Sequence, residues 1–317
     1  MLSPIVLFVY NRPHHTIEVL NSLAKNTESK DSELYIYCDG PKDKSDLINV
    51  EKIIKVRSIC FSENRFLSVK VFESDINKGL ANSIIYGVTE VINKYGKVIV
   101  LEDDLILSPF FLFYMNNSLN RYEFNLKVGQ IAGCNDFALG KKYPETFFTD
   151  LSDCLGWATW LNRWDKLILD ENVLIEKIEA SEIKKYLFNS YDSYDFMKLL
   201  HDQKNSLINS WAIRWQATCV INNWLTLYSN LSMINHIASV DATHANFNIL
   251  PPLQLQKPIL NNIEVVVLPE IVEIIREKHL VKEESKQKIN VFRLSINFIK
   301  KYNFLNFSKS LLRFRKI

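Results

Sequence analysis

The sequence predicts an α/β fold: a mostly parallel sheet with flanking helices, plus a C-terminal helical tail. Two observations carry this. Over the first hundred residues, short β-branched apolar runs alternate with stretches of helical spacing, and three of those runs end in polar clusters. Residues 4–10, PIVLFVY, are continuously apolar and read as a buried strand. NRPHHTIEVLNSLAKN follows, with Ile17, Leu20 and Leu23 at helical spacing. Next come a second strand, ELYIYCDG (33–40), a helix over about 45–62 and a third strand, LSVKVFES (67–74). A helix over about 79–95 then places Leu80, Ile84, Val88, Val91 and Ile92 on one face, and leads into a fourth strand, KVIVL.

Composition narrows the function. Of 317 residues, 47% are hydrophobic and 23% charged, which suits one large globular domain with an appendage. The net charge of +2 conceals an asymmetry. Nine of the 38 Lys and Arg lie from Lys286 onward with no acid among them, leaving 29 basic against 36 acidic residues before that point. The body is therefore acidic, which speaks against a nucleic-acid partner. Five scattered cysteines, Cys38, Cys60, Cys134, Cys154 and Cys219, form no CxxC pair and suggest a reducing cytoplasm. MLSPIVLFVYNRP lacks the basic start of a signal peptide, and no apolar run approaches the length of a spanning helix.

In parallel α/β sheets, ligands bind at the carboxyl ends of the strands. Asn11-Arg12, Asp39-Gly40 and Glu102-Asp103-Asp104 all fall at such ends and outline a pocket. In KVIVLEDDLILSP (97–109), V-I-V-L runs straight into three carboxylates. Like charges so close favour a counter-ion, and adjacent acids suit a hard cation, Mn²⁺ or Mg²⁺, which takes few protein ligands and completes its shell with water or phosphate oxygens. Such an ion bridging a diphosphate would neutralise the departing nucleotide.

The middle of the chain is less regular and concentrates the tryptophans in GWATWLNRW (156–164), SWAIRW (210–215) and NNWLTLY (222–228). Core packing accounts for most of them, with one or two expected along a groove that holds sugar rings. In the tail, Phe304, Phe307, Leu311 and Phe314 share one helical face opposite Lys309, Arg313 and Lys316. Two readings stay open for this basic amphipathic helix: contact with an anionic membrane surface, or docking on the protein's own body.

Six stretches together resemble the glycosyltransferases of the GT-A (Rossmann-like) fold, close to bacterial family-2-type sugar transferases. They are FVYNRPHHTIEVLNSLAKN (8–26), YIYCDGPK (35–42), NKGLANSIIYGVTEVI (77–92), VIVLEDDLILSPFFLFYMN (98–116), GWATWLNRWDK (156–166) and SWAIRWQA (210–217). The E-D-D-L segment also resembles N-acetylglucosaminyltransferase I. The resemblance implies a GT-A domain over 1–250, with a nucleotide-sugar half at about 1–133 and an acceptor half at about 134–250. Residues 251–317 form a C-terminal extension ending in the basic tail.

By the same resemblance, Arg12, Asp39, Asn77, Lys78, Asn82 and Asp103 bind the nucleotide-sugar, and Asp104, with His244 of THANF, holds the metal. Trp157, Trp211 and Arg214 meet the acceptor. The implied activity moves a hexosyl or N-acetylhexosaminyl group, with inversion, from a UDP-linked donor to a hydroxyl of a glycan or lipid-linked glycan. The setting is lipopolysaccharide or capsule assembly in a bacterium, in the cytoplasm or on the inner face of the cytoplasmic membrane.

An inverting transfer needs a base for the acceptor's proton. The family pattern places an aspartate just before S-W-A-I-R-W, where this chain has Asn209, and an amide cannot take that proton. Asp153 and Asp241 are the substitute candidates, and Asn209 is left to position the acceptor. The alternative reading is a catalytically impaired glycan- or nucleotide-sugar-binding protein that retains the fold. A nucleotidyltransferase is disfavoured, because no Gly-rich phosphate loop follows the first strand.

Overall fold

In a computed structural model, residues 2–137, 139, 140, 142–237 and 253–281 are described. The chain opens with β1 (Ile5–Val9), α1 (Pro13–Ala24), β2 (Glu33–Cys38), α2 (Leu47–Ser62), β3 (Ser68–Glu73), α3 (Leu80–Tyr95) and β4 (Lys97–Glu102). Each coincides with an element expected from the sequence. Then follow β5 (Leu105–Leu107), α4 (Phe111–Tyr122), β6 (Val128–Ala132), β7 (Thr146–Thr149), β8 (Trp157–Trp160) and α5 (Leu161–Trp164). The chain continues through α6 (Glu171–Glu179), α7 (Glu182–Phe188), α8 (Phe196–Lys204), α9 (Trp211–Ile221), β9 (Leu225–Ser229) and β10 (Ile234–His236).

Among the described residues the main sheet has eight strands in the order β3-β2-β1-β4-β8-β6-β9-β7. The four strands β3, β2, β1 and β4 are parallel to one another. β8 runs antiparallel to both β4 and β6, so β4 and β6 share a direction and their carboxyl ends lie at one edge. A second, two-stranded sheet pairs β10 with β5, immediately after the acidic triplet.

The continuous apolar character of β1 follows from burial on two sides. Ile5, Leu7 and Val9 enter a core with Val19, Leu20 and Leu23 of α1, Val56 and Cys60 of α2, and Phe111 and Met115 of α4. Val6 and Phe8 enter the opposite core with Ala81, Ile84 and Val88 of α3 and with Trp211 and Trp215 of α9. Each fully buried aliphatic side chain contributes about 1.5–3 kcal/mol, so β1 anchors both layers. Local signals agree: Asp46 caps α2 by accepting from the Asn49 amide at 3.1 Å, and α3 ends at Gly96 in a left-handed conformation.

Residues 253–281, expected in an extension, lie against the body. The Gln254 amide donates to the Ser232 carbonyl at 2.7 Å, and Ile271 and Ile275, in a helical stretch over 269–281, are buried beside Ala132, Phe147 and Tyr228. The five cysteines are all free. Among the described residues, no helix is long and apolar enough to cross a membrane. The basic tail expected over 285–317 lies outside the described residues.

Candidate active site

Parallel register aligns the ends of β2, β1 and β4, with Val9 opposite Cys38 and Phe8 opposite Glu102. Arg12, Asp39 and the acidic triplet therefore meet at one edge, as the sequence suggested. Arg12 Nη1 lies 3.4 Å from Asp103 Oδ1 and 3.2 Å from Asp104 Oδ2. Strong charged pairs close to about 2.7–2.9 Å, so this guanidinium bridges the two acids loosely. On the other side of Asp104, His236 Nε2 stands 3.1 Å from Oδ2.

Burial raises the Glu102 carboxyl to about 8, with repulsion from Asp104 and Asp103 adding to it. Asp103 rises to about 7, again through burial, against the pull of Arg12. Burial also pushes Asp104 upward, but the His236 hydrogen bond and the charges of His236 and Arg12 outweigh it and hold Asp104 below its ordinary value. The same hydrogen bond raises His236, against desolvation. The charged form is thus favoured at Asp104 and disfavoured at Glu102 and Asp103. Its Oδ1 is buried with no hydrogen-bond partner, an orphan acceptor of the kind that a cation satisfies.

Among the described residues, no three His, Cys, Asp or Glu side chains converge on a metal position. The donor set at this edge is Asp104 and His236. It fits an ion that draws its remaining ligands from a diphosphate and water, since Mg²⁺-type ions are commonly held by one or two protein groups.

Asp39 serves as a clasp. Its Oδ1 accepts from the amides of Gly40 and Lys78, both at 2.8 Å, and its Oδ2 accepts from the Gly79 amide at 3.0 Å. Asn77 returns a bond from Nδ2 to the Gly40 carbonyl at 2.9 Å, and Asn82 Nδ2 donates to the Lys78 carbonyl at 2.9 Å. These bonds tie the end of β2 to the start of α3. The two glycines are required: a Cβ on Gly40 would sit 2.5 Å from the Ile76 carbonyl carbon, and Gly79 has φ +77°. Beside the clasp, Tyr37, Asp39, Phe72, Ser74, Lys78 and Tyr86 line a crevice of about 140 Å³. Ligand pockets usually measure about 300–1,000 Å³, so this crevice admits one ring and not a whole nucleotide-sugar.

The residues expected to meet an acceptor are placed differently. Trp157 and Trp211, 0% and 3% exposed, stack on each other at 4.9 Å inside the core. Trp164, Trp215 and Trp224 extend that cluster. Packing against α3 and β4 claims both rings, which corrects the groove assignment. Arg214 gives its guanidinium to Glu171 Oε1, at 2.9 Å from Nε and 2.6 Å from Nη2, and so joins α9 to α6. Asn209 is exposed, two residues before Trp211. Asp153 lies in the segment that leads into β8, with its amide held by Gln130 Oε1 at 3.0 Å.

Asp241 and His244 lie outside the described residues. His236 was missed in the sequence. It follows a short apolar pair, Met233-Ile234, and reaches Asp104 only because β10 pairs with β5, placing His236 opposite Leu105. That pairing spans more than a hundred residues of chain, and no local pattern announces it.

Residues 5–190 match the family model described as Glycosyl transferase family 2, and the chain belongs to that family. No curated protein matches the sequence. Among solved structures, the chain is similar to TarS of S. aureus, at 18% identity over 48% of this chain and 26% of that one, with a TM-score of 0.30. It is also similar to the mannosyltransferase PcManGT from Pyrobaculum calidifontis, solved with GDP-Man and Mn2+, at 12% identity over 69% and 74% of the two chains and a TM-score of 0.35. A third is glucosyl-3-phosphoglycerate synthase from Mycobacterium tuberculosis, solved with Mn2+, UDP and glucosyl-3-phosphoglycerate. It shows 10% identity over 52% and 58%, with a TM-score of 0.29. The chain thus spans about a quarter of TarS and under two thirds of the synthase.

Proposed function

We propose that this family-2 glycosyltransferase takes a sugar from a UDP-linked donor and transfers it, with inversion, to a hydroxyl of a glycan or lipid-linked glycan. The observation that carries the donor site is Asp104, held between Arg12 and His236 with one buried oxygen unpartnered, at the carboxyl edge of parallel strands. Asp104 and His236 would hold Mn²⁺ or Mg²⁺, which supplies charge neutralisation for a departing diphosphate. Arg12 stands ready to pair with phosphate oxygens, because its present bonds to the acids are long. The crevice beside Asp39, lined by Tyr37, Phe72, Lys78 and Tyr86, would take the base, and Asn77 and Asn82 fix the backbone of Gly40 and Lys78 beside it.

A titration of the full chain with UDP-glucose, UDP-N-acetylglucosamine and GDP-mannose, each with Mn²⁺ and with EDTA, tests this reading. Metal-dependent binding of a UDP-sugar is expected. Binding of GDP-mannose alone would move the donor class. Binding without any turnover, in the presence of glycan acceptors, would favour a binding protein that retains the fold.

A further inference from the structure

The transfer requires a group that accepts the proton of the attacking hydroxyl, and most carboxylates at this edge are already engaged. Asp39 takes three amides, Asp104 takes His236 and Arg12, and Asp103 takes Arg12. Asp153 differs. Its Oδ1 accepts from the Leu155 amide at 3.1 Å, while its Oδ2 is buried with no hydrogen-bond partner.

The sheet register places it. β8 is antiparallel to β4 with Trp157 opposite Val100, so residues 153–156 pass beyond the carboxyl end of β4, beside the acids. Asp153 acts electrostatically on Glu102, and Cys154 senses both Glu102 and Asp104. The backbone there is fixed. Gln130 Oε1 accepts from the Asp153 amide at 3.0 Å and Gln130 Nε2 donates to its carbonyl at 2.6 Å, while Gln216 of α9 holds Asp150 and Ser152 on the other side. A rigidly mounted carboxylate with an unused oxygen costs stability, and active sites are where such a cost is tolerated.

We propose that Asp153 is the general base of the transfer, an assignment that rests on the transferase reading above. The hydroxyl oxygen bonds to the anomeric carbon as its proton passes to Asp153 Oδ2. The bond from that carbon to the diphosphate breaks, and its electron pair leaves with the nucleoside diphosphate. Burial raises Asp153 to about 7, against the pull of the Leu155, Cys154 and Cys134 amides, and Asp136 adds to the rise, which suits a base working near neutrality. The groups facing it are Glu102 from β4, Asp136 and Cys134 from the segment after β6, Tyr228 from β9 and the adjacent Cys154.

Water can stand in for the acceptor, so the test follows donor hydrolysis by the full chain with Mn²⁺ and saturating UDP-glucose or UDP-N-acetylglucosamine, alongside calorimetric donor binding. Asp153→Asn should bind donor within about two-fold of wild type while hydrolysis falls about 100-fold or more. Wild-type hydrolysis should rise from about pH 6 to about pH 8, and the residual rate of the variant should not. Hydrolysis by Asp153→Asn at the wild-type rate would overturn the assignment. So would a wild-type rate that is flat across that range, a result that needs no variant to fold. Retained binding with lost turnover isolates the base, whereas absence of donor binding in wild type removes the transferase reading and this assignment with it.

Discussion

At the β2–β1–β4 side of the sheet, the polar residues that follow the strands stand at an open edge, and their bonds run to one another and to loop backbone: Arg12 to Asp103 and Asp104, Asp39 to Gly40, Lys78 and Gly79. Across β8 the marked residues turn inward. Trp157, Trp211 and Trp215 fill the space between β4, α3 and α9, and Arg214 braces α9 on α6. Parallel strands that end together leave their following residues beside a ligand crevice. Tryptophans spaced four apart on a helix, as 211 and 215 in α9, mark a face that packs, and Trp157 of β8 joins them from the sheet. The same conspicuous chemistry therefore gathers at an open strand edge in one half and fills a core in the other.

Substitutions should separate the halves. Trp157→Ala should cost about 3–5 kcal/mol in chemical denaturation, because it empties the centre of the aromatic cluster. A loss of activity at unchanged stability would return this ring to the acceptor groove. Asp153→Asn should act in the opposite direction on stability. The folded carboxyl is raised from 3.8 to about 7, so between those values the native state holds more protons than the unfolded chain and wild type loses stability as pH rises. The variant has no such loss and should gain about 1–3 kcal/mol over wild type above pH 7, with the gap closing toward pH 4. Equal pH profiles would show that burial does not govern this group.

Asp39→Ala leaves the amides of Gly40, Lys78 and Gly79 without their acceptor and should cost about 1–3 kcal/mol. Faster hydrogen exchange at Lys78 and Gly79 is the direct reading, and unchanged exchange there would remove the clasp. Arg214→Ala should have the smallest effect, about 1 kcal/mol, with donor affinity unchanged, since the ion pair with Glu171 is only partly buried.

The first four strands and three helices were legible because each carries a local period or a two-sided apolar run, and the acidic triplet was legible because it interrupts one. What escaped depends on distant pairing. Asp104 meets His236 through the β5–β10 ladder, and the place of Asp153, itself named from the sequence, is set by antiparallel β8 in a sheet whose first strands are parallel. The fate of Trp157 and Trp211 was also closed to the sequence, because an indole that stacks on a sugar and one that stacks on another indole look alike until burial is known.

The proposed donor site at Asp104 is tested most directly by calorimetric titration of UDP-sugars into wild type and Asp104→Ala, with Mn²⁺ and with EDTA. The expected result is binding that needs Mn²⁺ and weakens about 100-fold in the variant, whose fold is unchanged. Binding of equal strength in the variant, or binding indifferent to EDTA, would contradict the assignment of Asp104 as the residue that holds the metal and donor.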